Sequence, residues 1–97
     1  MRRRSKKTKK HLIKHSLRRY YERYGEEISK SQIEEWNSQI KKSKDNIELL
    51  DKQSLTRSVY LIDKNIYAVY NSNLKCICTF ITKEMYENDC YVYSKEN

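Results

Sequence analysis

Proline is absent from this chain, and glycine occurs once, at Gly25. A sequence so poor in both is neither a low-complexity segment nor a flexible linker. No apolar run approaches the roughly 18 residues that a bilayer-spanning helix needs, so no membrane span is expected. The basic opening MRRRSKKTKK has no apolar stretch behind it, which gives no secretory signal to expect. Cysteines are few and odd in number: Cys76, Cys78 and Cys90. Two of them stand two residues apart, a spacing that does not bridge easily within one strand. All three therefore read as reduced thiols, and the expected compartment is cytoplasmic.

Acidic residues are scarce at the start of the chain, and this shortage carries the most information. Residues 1–23 hold eleven Lys/Arg against one acid, Glu22, whereas the rest of the chain holds ten against twelve. The net charge of +8 therefore originates in the first quarter. A focused basic segment on a near-neutral body is the electrostatic footprint of a protein that binds a phosphate backbone. The candidate nucleic-acid contacts are Arg2, Arg3, Arg4, Lys6, Lys7, Lys9, Lys10, Lys14 and Arg18, with RNA the expected ligand. An acidic protein partner, a membrane-surface patch and a solvated tail are the alternatives that charge alone leaves open.

With 97 residues, 37% hydrophobic and 35% charged, the chain has room for one modest core. Residues 1–10 read as a basic tail that is disordered until an anion orders it. A helix is expected from about His11, because Ile13, Leu17, Tyr20, Tyr21 and Tyr24 recur at spacings of three and four. Gly25 follows where a left-handed cap belongs, with Arg23 in the last turn. Ser29 and Gln32 form a capping box flanked by the staple pair Ile28 and Ile33. The second helix then carries Ile33, Trp36 and Ile40 on one stripe. After residue 45 the pattern turns to strands: NIELL (46–50) as a short edge, TRSVYLI (56–62), IYAVYN (66–71) and LKCICTFI (74–81). Short connections make them an antiparallel meander. The expected fold is α+β, an N-terminal αα-hairpin on one face of a three- to four-stranded antiparallel sheet. Its domain spans 11–82, with a C-terminal extension at 83–97 in which KEMYEN forms a helical turn.

On the first helix His15, Arg19 and Arg23 share a stripe about 80° wide, with His11 beside it. An imidazole aligned with two guanidiniums pairs a group that titrates near neutrality with phosphate-binding forks. Metal-independent ribonucleases need that combination, although any surface helix also shows a polar stripe opposite its apolar face. Zinc is not expected. Cys76 and Cys78 with His11 and His15 supply four donors, but C-x-C lies on a core-like strand and no second C-x-x-C appears. No small-molecule cofactor is expected either.

The stretch His15-Ser16-Leu17-Arg18-Arg19-Tyr20-Tyr21-Glu22-Arg23-Tyr24-Gly25 resembles the H-[AS]-L-x-R-x-x-x-R-x-G opening of small phage and bacterial proteins. These are grouped with the barnase/EndoU/colicin/RelE-like nuclease fold. The likeness continues through 52–60, Val69-Tyr70-Asn71 and 77–81. It implies metal-independent RNA cleavage, as a small ribonuclease or ribonuclease-like toxin. The implied roles are a histidine function for His15, phosphate-holding functions for Arg19, Arg23 and Arg57, and a hydroxyl function for Thr79. Two departures stand out. A Lys/Arg-rich tail replaces the usual first strand, and Asp63-Lys64-Asn65 replaces a hairpin glycine. The competing reading is a non-catalytic phage-type inhibitor or accessory protein that docks on a host or defence nucleoprotein through its basic surface. An antitoxin or immunity protein is the partner that the toxin reading implies.

Overall fold

The computed structural model describes residues 8–88. Arg2, Arg3, Arg4, Lys6, Lys7 and Cys90 therefore lie outside the described residues. Two N-terminal helices pack against a four-stranded antiparallel sheet, as expected. The elements run α1 (Lys9–Tyr24), α2 (Lys30–Lys41), β1 (Ile47–Lys52), β2 (Arg57–Ile62), β3 (Ile66–Asn71), β4 (Cys76–Ile81) and α3 (Lys83–Asn88). Sheet order follows chain order, β1-β2-β3-β4.

Local chemistry sets the boundaries. Thr8 caps α1, its hydroxyl accepting from the His11 N–H at 3.3 Å. The helix thus begins two residues earlier than the apolar periodicity suggests, because a cap fixes the start before any core residue appears. Gly25 closes α1 at φ 75°, its N–H donating to Tyr21 O, a conformation that disfavours any side chain with a Cβ. Ser29 caps α2 by accepting from the Gln32 N–H at 3.1 Å.

The hairpin lies along β4, the edge strand, and the two are bonded through side chains. The edge of β4 turned away from β3 leaves backbone groups without strand partners, a state that is costly when buried. Asn37 of α2 accepts from the Ile77 N–H at 2.8 Å, and Ser16 of α1 donates to Ile77 O at 3.0 Å. Arg23 donates to Phe80 O at 2.8 Å. At the end of the ladder the Tyr24 hydroxyl accepts from the Tyr67 N–H at 2.9 Å and donates to Ile81 O at 2.6 Å. Tyr67 and Ile81 are paired residues of β3 and β4, so one phenol bridges the two strands.

Phe80 anchors the core, with Tyr20, Trp36 and Tyr24 around it at ring-centroid distances of 5.0, 5.7 and 6.5 Å. Register decides which residues share a face, since paired residues and alternate residues project together. Phe80, Ala68 and Tyr60 are in line, as are Thr79, Val69 and Val59 on the opposite face. A bulge in β4 pairs Tyr70 with Ile77 and Val69 with Thr79. It moves Ile77 off the face that simple alternation would give it with Thr79.

Candidate nucleic-acid interface

Successive residues of α1 are separated by about 100°, so its surface divides into three lanes. The inward lane is Leu12, Ile13, Ser16 and Tyr20, all buried. The lateral lane carries His15, Arg19 and Glu22. The outward lane is Lys10, Lys14 and Arg18, spaced four apart, with Tyr21 three beyond, and all four are exposed. Tyr21 departs from the expected apolar face: it is 56% exposed. The buried lane centres on Ser16 and Tyr20, and Tyr21 falls 100° past Tyr20.

The outward lane opposes local helix energetics. Like charges four residues apart repel by about 0.2–0.5 kcal/mol per pair. Lys9 and Lys10 occupy a first turn that holds no acid, where the helix dipole disfavours cations. Lys10, Lys14 and Arg18 form no ion pair among the described residues. Among the described residues, no ion pair compensates for this break of a local rule.

In the lateral lane, His15 is exposed and its Nε2 accepts from Arg19 Nε at 3.4 Å. Arg19 also pairs with Glu22 at 2.7 Å, both partners being partly exposed. Exposed pairs of this kind contribute about 0–1 kcal/mol, so an arriving phosphate can compete with the carboxylate. Arg23, four residues on, is turned to the Phe80 carbonyl. Burial, then the neighbouring Arg19 charge, push its guanidinium below the ordinary value, with Glu22 and Tyr24 opposing.

Arg57 stands at the start of β2, half-buried and opposite Asn71. Thr79 is half-buried opposite Val69. Register sets both on the face away from Phe80, with Val59 and Val69 between them. The structure therefore joins His15 to Arg19 directly, gives Arg23 a hydrogen bond within the fold, and places Arg57 and Thr79 two strands apart on the sheet face away from Phe80. Lys9, Lys10, Lys14 and Arg18 all lie exposed on α1.

Ser16 and Asn37, which the sequence leaves unassigned, and the hydroxyl of Tyr24, a residue expected on the apolar face, carry contacts. Ser16 is fully buried, Asn37 is 4% exposed, and the Tyr24 phenol is raised above its ordinary value chiefly by burial. Asn37 also donates to Cys76 Sγ at 3.3 Å. Burial raises the Cys76 thiol, with this hydrogen bond opposing. The signal for both Ser16 and Asn37 was a short polar residue inside an apolar lane. Among the described residues, no group of three or more His, Cys, Asp or Glu side chains could hold a metal ion, and no helix is long and apolar enough to cross a membrane. No family model, curated protein or solved structure matches this chain.

Proposed function

We propose that this protein binds RNA through the outward lane of α1, extended by the basic residues that precede it in sequence. The carrying observation is the row Lys10, Lys14 and Arg18, exposed, single in sign and arranged against the preferences of its own helix. Rows of this kind neutralise phosphates and release counterions. The buried thiols of Cys76 and Cys78 suit a reducing compartment, which supports the cytoplasm as the place of action. The test is RNA binding at low ionic strength by the full chain and two reversals. Lys14→Glu with Arg18→Glu should abolish the bound fraction, whereas Lys41→Glu, on α2, should retain it. Equal losses in both would refute a localised interface.

A second reading, metal-independent cleavage, is favoured by the contact between Arg19 and His15 Nε2. With Nε2 accepting, the lone pair needed by a general base is on that nitrogen. A scissile phosphate that draws Arg19 toward itself takes that donor from Nε2. His15 then takes the 2′-hydroxyl proton, the 2′-oxygen attacks phosphorus, and the 5′-oxygen leaves with a proton from solvent, yielding a 2′,3′-cyclic phosphate. In metal-free buffer, wild type should generate cyclic ends, and His15→Ala should not. RNA bound intact by wild type would leave the non-catalytic binding protein as the surviving reading.

A further inference from the structure

Tyr21 is the exposed aromatic among the seven described tyrosines, and the other six are buried or half-buried. Tyr20 and Tyr24 stack on one another, Tyr60 meets Tyr70 edge-on, and Tyr67 meets Tyr86. A lone exposed ring needs no explanation by itself; its position is what matters. It follows Lys10, Lys14 and Arg18 by eleven, seven and three residues, and at 3.6 residues per turn all four fall within a lane about 80° wide. The rise of 1.5 Å per residue separates the cations by about 6 Å and makes the whole lane about 16 Å long. That is the reach of a few nucleotides of extended strand, and cation spacing is on the scale of successive phosphates.

We infer that Tyr21 is a stacking platform for an unpaired base, which makes the preferred ligand of α1 single-stranded RNA. The inference rests on the RNA-binding reading above. Lys10, Lys14 and Arg18 follow the phosphates, and the base beyond Arg18 turns onto the phenol ring. A duplex offers phosphates in abundance but keeps its base faces stacked on one another. The ring therefore separates single strands from duplexes, while the cations bind both.

The experiment compares wild type, Tyr21→Ala and Tyr21→Phe as full chains, by fluorescence anisotropy. The probes are a short mixed-sequence single-stranded RNA, the same sequence annealed as a blunt duplex, and its single-stranded DNA counterpart. Tyr21→Ala should weaken single-stranded RNA binding roughly 5- to 140-fold, the loss of one base stack. Tyr21→Phe, which keeps the ring, should bind like wild type. Duplex affinity and the salt slope should be the same in all three proteins, because no cation is removed. A parallel loss on the DNA strand also supports stacking, since every base has a π face. Wild-type affinity in Tyr21→Ala, or an equal loss on the duplex, overturns the stacking role and leaves the RNA-binding reading standing. Wild type that ignores every probe at low ionic strength overturns both.

Discussion

The Tyr24 hydroxyl occupies a place usually filled by a direct strand-to-strand hydrogen bond, between the Tyr67 N–H and the Ile81 carbonyl. Removing it leaves two backbone groups, one at half-buried Tyr67 and one at buried Ile81, without their partner. Tyr24→Phe should therefore cost about 1–3 kcal/mol, read as a lower urea midpoint, and an unmoved midpoint would contradict the bridge. Ser16, Arg23 and Asn37 act in the same way on the outer side of β4. These contacts were not legible in the sequence. A serine or asparagine inside an apolar lane says that a polar group is buried, but its partner lies 39 to 61 residues away. The same limit applies to Arg23: spacing put it in line with His15 and Arg19, while the bond to Phe80 depends on how α1 lies against the sheet. Tyr21 differs. Its phase with Arg18 and Lys14 was readable on the helix, and only the rule that aromatic rings face inward concealed it.

Among the elements, the β2–β3 hairpin carries a visible strain. Asp63 and Lys64 both have positive φ, 52° and 67°. Two consecutive left-handed residues suit the twist of a tight hairpin, and Asn-Gly or Asp-Gly is the usual solution. Asp63 tolerates the conformation, and its side chain accepts from Asn46 Nδ2 at 2.8 Å. Lysine gains nothing comparable, and a left-handed non-glycine residue costs about 1–2 kcal/mol. Lys64→Gly should stabilise the protein by about 1 kcal/mol, since glycine's larger unfolded-state entropy offsets part of the relief. Thermal unfolding should shift upward by roughly 4–8 °C, and an unchanged or lower midpoint would contradict the strain. Element identity and order were legible because α1 and α2 have caps and β2, β3 and β4 have runs of β-branched or aromatic residues; β1, with Ile47 its one β-branched residue, showed only as a short apolar edge. The β4 bulge was not, because Ile77-Cys78-Thr79 reads as plain alternation until its pairing with Val69 and Tyr70 is known.

Across the whole molecule, charge and structure are divided. The body from α2 onward is near neutral, and the basic excess lies on α1 and the residues before it. Helix α1 thus faces two ways: inward it holds the free edge of β4 with Ser16 and Arg23 and bridges β3 to β4 with Tyr24, and outward it presents Lys10, Lys14, Arg18 and Tyr21. The two faces use different lanes, so the proposed binding surface can be changed without loosening the fold. The basic footprint was readable from composition alone. That it forms a straight, acid-free lane followed from the helix phase once Thr8 and Gly25 fixed the ends. The decisive measurement is the dependence of single-stranded RNA affinity on salt, for wild type and for Lys10→Ala, Lys14→Ala and Arg18→Ala combined. Each lost phosphate contact should lower the slope of log affinity against log salt by about 0.7, so the triple variant should fall short of wild type by about 2. A slope that does not change would contradict phosphate binding along α1.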